Sequence, residues 1–167
     1  DMPVGPAAKV RGAAAADSLG TRLAHTAGAL GLQLGIHRSD GTQPVGRGIG
    51  PALEAHDVLK VLRNAADAPA DLRERALALS AALLDMAPGS SAGTGGERAR
   101  RVLDSGAALA KFLAICEAQG GFREPPRAAF TADIPAPASG RIAEIDNRRL
   151  AKLAKLAGAP TSPTAGL

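Results

Sequence analysis

Apolar residues near the start of the chain follow first a helical and then a strand-like pattern. Within residues 13–30, leucines one or two helical turns apart form a narrow apolar stripe, which predicts a helix that packs on a sheet. Residues 32–36 then place an apolar side chain at every second position, which is the period of a β-strand. Since residues 1–11 indicate the end of an earlier strand that enters a loop, the order strand, helix, strand predicts a βαβ unit.

A βαβ unit brings the loops that follow its two strands to one edge of the sheet, because its strands are parallel. Here these loops are residues 3–11 and 38–50. Open α/β sheets bind ligands at this edge, so we expect a candidate site there. Within the first loop, Gly5 and Lys9 either face a bound anion or belong to a basic surface loop.

The second loop has the most informative local sequence. Pro51 suits the first position of the helix that follows, and Arg47 adds a fixed positive charge. Four glycines within ten residues allow positive φ and close backbone approach: Gly41, Gly46, Gly48 and Gly50. The loop either faces an anion, lines a site with carbonyls, or is a tight turn that packs a helix on a strand. Its spacing matches neither a dinucleotide-binding nor a Walker motif, which favours the structural turn. If the loop belongs to the site, we expect positive φ at Gly48 and Gly50.

Helical patterns continue to residue 118, and two short strand-like patterns follow. Helices are predicted at 51–63, 71–86, 97–104 and 105–118, strands at 130–134 and 141–145, and a last helix after Asp146 or Asn147. The spacing within 71–86 indicates a largely buried helix. A connector rich in Gly, Ser and Thr at 88–96 is expected to be solvated, and the tail 161–167 to be disordered.

These elements predict an α/β fold that starts with a βαβ unit on a partial mixed sheet, continues through a helix-rich middle and ends in a small α+β piece. Residues 1–120 are assigned to part of an α/β domain, 121–128 to a linker with two adjacent prolines, and 129–167 to the beginning of an α+β domain. The last piece has too little apolar material to fold by itself. The whole resembles a fragment of a larger fold.

Composition narrows the classes of partner. The net charge is only +4 and the chain has no Tyr or Trp, so nucleic-acid bases would lack stacking partners, whereas the modest positive charge suits either a small anionic substrate or simple solubility. Cys116 is the single cysteine, which rules out an internal disulfide and leads us to expect a cytoplasmic setting. No apolar run reaches the length of a membrane span. We therefore expect neither nucleic acid nor a membrane as partner.

Three segments resemble, in this order, the thymidine phosphorylase family: residues 1–11, 40–55 and 137–147. The similarity is greatest with the branch that includes archaeal AMP phosphorylases and bacterial thymidine phosphorylases. The resemblance implies a pentosyltransferase, a glycosyltransferase of nucleoside metabolism, in which phosphate attacks the anomeric carbon as the base leaves. It also implies a homodimer in which a cleft for phosphate and nucleoside separates a helical domain from an α/β domain.

The resemblance also implies that essential parts lie outside these residues. The family's glycine-rich phosphate loop and the Ser and Lys that hold the base precede the position equivalent to Asp1, and its C-terminal region continues past the equivalent of Leu167. We therefore expect the chain to be inactive by itself. Phosphate is the co-substrate, no cofactor is required, and the substrate is a nucleoside or a nucleoside monophosphate with a pyrimidine or purine base.

Site residues also follow from the resemblance. Some AMP phosphorylases place an acidic proton donor directly before a Gln-Pro pair; Thr42 occupies that position and Asp40 lies two residues earlier, so both are candidate catalytic residues. Thr42 cannot donate a proton as a carboxylic acid would. Candidate substrate-binding residues are Lys9, Gln43, Arg47, Gly48 and Gly50. A monovalent cation would be held by the carbonyls of Val45 and Gly48 and the carboxylate of Asp57, since oxygen ligands suit a hard cation.

A different class of function stays open at this point. Composition by itself also allows a non-catalytic helical or α/β interaction module. A glycine-rich phosphate loop and a Ser/Lys pair upstream of Asp1, in the same reading frame, would separate the two hypotheses. The enzyme hypothesis needs that chemistry, whereas an interaction module does not.

Overall fold

The computed structural model describes residues 1–89, 91 and 93–167, and over these residues the fold is helix-rich and mixed α/β, which confirms the predicted fold class. The described residues form two strands and six helices: β1 Met2–Val4, α1 Ala13–Ala29, β2 Arg38–Asp40, α2 Pro51–Leu62, α3 Ala70–Met86, α4 Gly95–Asp104, α5 Ala107–Ala118 and α6 Asn147–Leu156. None of these helices, within the described residues, is both long and apolar enough to cross a membrane.

The strands β1 and β2 pair in parallel, with Met2 opposite Arg38, and this confirms the βαβ unit. The second strand, however, does not lie where it was predicted, since residues 32–36 are irregular. β1 offers three ladder positions, and the Met2 amide already donates to the His37 carbonyl at 2.8 Å. The pairing therefore begins after the alternating run and not within it.

Two helix starts follow local signals in the sequence. Pro51 is the first residue of α2, a position where the missing amide hydrogen removes no helical bond. The Asp146 carboxylate caps α6, because its Oδ1 accepts hydrogen bonds from the amides of Arg148 and Arg149 at 3.0 and 3.1 Å. These ends were predictable since capping depends on residues only a few positions apart.

The helix α3 is less buried than its apolar spacing predicted. Leu77 is buried, but Leu83 is 70% exposed. The spacing identifies an apolar face, and such a face becomes buried only where another element covers it.

The predicted connector 88–96, which follows this helix, includes residues 90 and 92, which lie outside the described residues.

The strands predicted at 130–134 and 141–145 are wrong. Residues 121–146, all of them described, contain neither helix nor strand. Phe130 is 93% exposed and Ile142 is 81% exposed, so no burial of apolar side chains favours pairing there. Prolines in the intervening turn also remove backbone donors that a strand pair would need.

The tail 161–167, expected to be disordered, instead lies against the loop before α2. Ile49 and Leu167 exchange two backbone hydrogen bonds, with the Ile49 amide donating at 2.9 Å and the Leu167 amide at 3.0 Å. The Ala52 amide donates to the Pro163 carbonyl at 3.0 Å. Backbone pairing of this kind leaves no mark in side-chain composition, which is why the prediction was wrong.

The chain forms two compact units. The first contains Asp1–Pro44 and Arg75–Arg101, and the second contains Val45–Glu74 and Val102–Leu167. Buried apolar residues of the first unit include Met2, Ala16, Leu77 and Ala99, and those of the second include Ala52, Leu59, Val61, Leu103, Ala154 and Ala159. The domain assignment at 1–120, 121–128 and 129–167 stays a prediction.

Candidate functional site

The predicted site residues fall into two groups, one in each compact unit. Lys9, Asp40, Thr42 and Gln43 belong to the first unit, and Val45, Arg47, Gly48, Gly50 and Asp57 belong to the second. Each group has its own geometry, determined by the elements on which it lies.

In the first unit, the loop after β1 meets the residues directly after β2 at one edge of the sheet, as predicted, whereas residues 45–50 of the predicted second loop belong to the second unit. The Gly41 amide donates to the Val4 carbonyl at 2.9 Å. Gly5 lies so close to Gly41 that a Cβ on Gly5 would overlap the Gly41 carbonyl group. The missing side chain at Gly5 therefore permits the contact between the two loops.

The candidate catalytic residues Asp40 and Thr42 form a tight turn at this edge. The Thr42 amide donates to Asp40 Oδ1 at 2.8 Å. A hydrogen bond from the Thr42 side chain, followed by the bond from its amide, holds the pKa of Asp40 below its usual value of 3.8, and the positive charge of Arg75 acts in the same direction. Asp40 is therefore ionised at neutral pH, which suits a hydrogen-bond acceptor and not a proton donor.

Residues around this turn differ in how firmly they are held. Lys9 is exposed in the loop after β1 and has no ion-pair partner among the described residues. Gln43 Nε2 donates to the Thr42 carbonyl at 2.9 Å. The sequence analysis missed Arg75 of α3, whose guanidinium donates to the Asp40 carbonyl. The two residues are 35 positions apart, and no local pattern signals that contact.

In the second unit, Asp57 holds residues 45–50, here called the glycine loop. Asp57 is 6% exposed, although its side chain carries a charge. Its Oδ2 accepts hydrogen bonds from the amides of Arg47 at 2.6 Å and Gly48 at 2.8 Å. Bonds to a charged acceptor are shorter and stronger than bonds between neutral groups, so they offset part of the cost of burying the carboxylate.

Two further carboxylates hold neighbouring amides of the loop. The Gly46 amide donates to Asp71 Oδ2 at 3.0 Å, and the Gly50 amide donates to Glu54 Oε1 at 3.1 Å. The sequence had attributed these acids to helix capping and to the helix dipole, which explain an acid in a first turn equally well. Since these loop amides bond to protein carboxylates, they are not free to bind an anion, whereas the Arg47 side chain is exposed.

The glycines of the loop serve different purposes. Gly46 and Gly50 have φ of 80° and 145°, which confirms the expected positive φ at Gly50. The same expectation for Gly48 is wrong, since its φ lies outside the left-handed region. Gly48 instead provides space, because a Cβ there would lie 2.6 Å from the Cβ of Leu53 in α2.

The predicted cation ligands also lie in this unit. Asp57 Oδ2 already accepts two amide hydrogens, which leaves Oδ1 as the oxygen to ligate an ion beside the carbonyls of Val45 and Gly48. Among the described residues, no group of three or more His, Cys, Asp or Glu is arranged to hold a metal. A site with a single carboxylate would not form such a group, so the monovalent cation stays a prediction.

The chain has curated relatives, although no protein-family model matches it. All 167 residues align with 33% of "Putative thymidine phosphorylase 2" of Acidovorax sp. (strain JS42) at 58% identity. The proteins named "Putative thymidine phosphorylase" of Hahella chejuensis and Chelativorans sp. (strain BNC1) are each 54% identical with the same coverage. The chain thus spans about a third of the length of these relatives, which fits the expected fragment of a larger fold.

Proposed function

Over the segment that it covers, this chain belongs to the thymidine phosphorylase family, and on that premise we propose that it is part of a nucleoside phosphorylase. In the reaction, an oxygen of inorganic phosphate bonds to the anomeric carbon while the N-glycosidic bond breaks. The base leaves and takes up a proton, and the sugar leaves as its 1-phosphate. The observation that carries this proposal is the 58% sequence identity with a putative thymidine phosphorylase, in an alignment that includes all 167 residues of the chain.

In the first unit, we assign a role in substrate binding to Lys9 and to the turn at Asp40. The exposed Lys9 ammonium would attract phosphate or a substrate phosphate group. The ionised Asp40 would accept a hydrogen bond from the sugar or base, and Thr42 and Gln43 would add neutral polar contacts. The lowered pKa of Asp40 supports an accepting role and makes it a poor proton donor at neutral pH.

In the second unit, we assign the binding of an anionic group to Arg47. Its guanidinium is exposed, while its amide and that of Gly48 are tied to Asp57. A guanidinium can donate two parallel hydrogen bonds to two oxygens of one phosphate group, so it orients the phosphate as well as attracting it. Gly48 and Gly50 would contribute to substrate binding by letting the loop that carries Arg47 pack closely on Leu53 and Ala165, and a monovalent cation at Val45, Gly48 and Asp57 would stabilise the loop.

We also propose that the whole protein acts as a homodimer on a nucleoside or nucleoside monophosphate, with phosphate as co-substrate. The test uses the intact protein that contains this chain, incubated with phosphate and thymidine, uridine, adenosine or AMP. We expect release of free base and an equal amount of sugar 1-phosphate, detected by chromatography.

Two controls make this test specific. Omitting phosphate should abolish base release, and the 167-residue chain by itself should show no turnover. Base release that continues without phosphate would indicate a hydrolase. No release from any of the four substrates would contradict the proposal.

A further inference from the structure

The segment 163–167, here called the clasp, meets the glycine loop through backbone atoms. Leu167 pairs with Ile49 in both directions, at 2.9 and 3.0 Å, and the Pro163 carbonyl accepts from Ala52 at 3.0 Å. The clasp and loop belong to the same compact unit. These contacts involve the last residues before α2 and its first turn.

Two glycines make this close approach possible, one on each side. A Cβ on Gly166 would overlap the Ile49 carbonyl and lie 2.8 Å from Leu53 Cδ1. A Cβ on Gly50 would overlap the Ala165 carbonyl. Gly50 has a positive φ, but Gly166 does not, so at Gly166 glycine is needed for space alone. A substitution there tests the contact without adding backbone strain.

The clasp provides partners for backbone groups that α2 cannot satisfy by itself. The first amides of a helix have no acceptor within the helix. The Pro163 carbonyl takes the Ala52 amide, and Leu167 takes the Ile49 amide just before the helix. The carboxylate of Asp57 takes the amides of Arg47 and Gly48. Two sets of partners therefore hold the loop. The Asp57 carboxylate binds the amides of Arg47 and Gly48, and the clasp binds the amides of Ile49 and Ala52.

We propose that the clasp is a positioning segment that fixes the glycine loop and thereby the place of the Arg47 side chain. Ile49 lies two residues from Arg47, so releasing Ile49 would let the backbone that carries the guanidinium move. The effect on substrate handling rests on the function proposed above. The hold of the clasp on the loop backbone does not depend on that function, and it is measurable without any substrate.

The first experiment compares Gly166→Ala with Gly140→Ala by amide hydrogen exchange. Gly140 is a matched control, since a Cβ there meets nothing within 4 Å and its φ is not positive. In Gly166→Ala we expect exchange at the Ile49 and Ala52 amides to rise by about tenfold or more, because their acceptors withdraw. Exchange at the Arg47 and Gly48 amides should change less, and Gly140→Ala should leave all four unchanged.

A second variant guards against a general loss of folding. Leu167→Pro removes the amide that donates to the Ile49 carbonyl and adds no atom at Gly166. We expect faster exchange at Ile49 and little change at Ala52, whose acceptor is Pro163. Ile49 and Ala52 amides that exchange at unprotected rates in the unsubstituted protein would overturn the proposal.

The second experiment measures steady-state kinetics of the intact protein. Gly166→Ala should raise KM for phosphate about fivefold while kcat changes less than about twofold, because binding and not the chemical step is disturbed. A rise no larger than that of Gly140→Ala would overturn the positioning role, even if exchange at Ile49 increases. If the unsubstituted protein shows no phosphorolysis, the proposed function fails, and the exchange data still decide whether the clasp holds the loop.

Discussion

The second unit contains two irregular segments that differ sharply in how they are held. The glycine loop at 45–50 and the stretch 121–146 are both rich in Gly or Pro and lack helix and strand. In the loop, the amides of Gly46, Arg47 and Gly48 bond to carboxylates, and Ile49 pairs with Leu167. In the longer stretch, Phe130 and Ile134 are 93% and 89% exposed.

The difference shows that irregular backbone is specified by partners for its polar groups and not by its composition. A backbone group that is buried without a partner is costly, so a loop with satisfied amides has one preferred arrangement. The stretch 121–146 is tied down near its start, where Arg63 forms two hydrogen bonds of 2.8 and 2.9 Å with Glu124. The candidate binding residues of this unit lie on the held loop.

The largest expected effect comes from removing the buried acid that holds the loop. Asp57→Ala leaves the amides of Arg47 and Gly48 without their acceptor and should lower the free energy of unfolding by about 2–3 kcal/mol. The matched control is Asp133→Ala, because Asp133 is exposed within the other segment. Urea denaturation of both variants measures the difference.

Asp57→Asn sharpens the same comparison. The amide oxygen of Asn can still accept a hydrogen bond but carries no charge. We therefore expect Asp57→Asn to lower the free energy of unfolding, but by less than Asp57→Ala does. Equal unfolding free energies for Asp57→Ala and Asp133→Ala would show that the loop does not depend on this carboxylate.

The sequence predicted the parts of this unit that depend on near neighbours. Pro51 marked the start of α2 and Asp146 the cap of α6, because both act within three residues. Asp57 was placed on the correct helix, but its partners lie nine and ten residues away, and an acid near a helix N-terminus already has a simpler explanation. The alternation at 130–134 could not reveal that a strand partner is missing.

In the first unit, the sequence predicted the meeting of the two loops but not its details. The order of elements determines which edge the loops share, so the contact between Val4 and Gly41 follows from topology. The position of β2 depends on which three residues pair with β1. The contact of Arg75 with Asp40 depends on tertiary packing. Neither has a local signal.

The second largest effect is expected from Gly46→Ala. Gly46 has φ of 80°, and a Cβ there would lie 2.9 Å from Asp57 Oδ2, so strain and crowding add. We expect a loss of about 1–2 kcal/mol in the free energy of unfolding. Gly140→Ala should cost much less, because its Cβ enters open space. Similar losses for both would mean that the loop adapts as freely as the segment 121–146.

A smaller effect on stability, but a clear one on kinetics, is expected from Arg47→Ala. Its side chain is exposed, so the free energy of unfolding should change by less than about 0.5 kcal/mol. In the intact protein, KM for the anionic substrate should rise about tenfold, which corresponds to about 1.4 kcal/mol of lost binding. Arg141→Ala, an exposed arginine of the other segment, is the control. Equal kinetics for both would assign Arg47 to the solvated surface.

The smallest effect concerns the pair that Glu124 of the irregular stretch forms with Arg63, the residue directly after α2. The hydrogen bond from Arg63 and its positive charge lower the pKa of Glu124 below its usual 4.5. A carboxyl whose pKa is lowered by folding stabilises the fold above its unfolded pKa, and this contribution disappears as the pH falls through the lowered folded value. Both side chains are about half exposed, so solvent screens the pair.

We therefore expect Glu124→Gln to lower Tm slightly at pH 7 and to match the unsubstituted protein once the pH is well below 4.5. Asp67→Asn, which breaks the 2.5 Å pair with Lys60, should show the same pH dependence, because the pKa of Asp67 is also lowered. The two variants should differ in amide exchange: Glu124→Gln should speed exchange at the amides of Phe122, Arg123 and Glu124, because it releases this stretch from Arg63, whereas Asp67→Asn should not. A Tm difference that grows as the pH falls would contradict the assigned sign, and unchanged exchange at the amides of residues 122–124 would show that the stretch gains nothing from the Arg63–Glu124 pair.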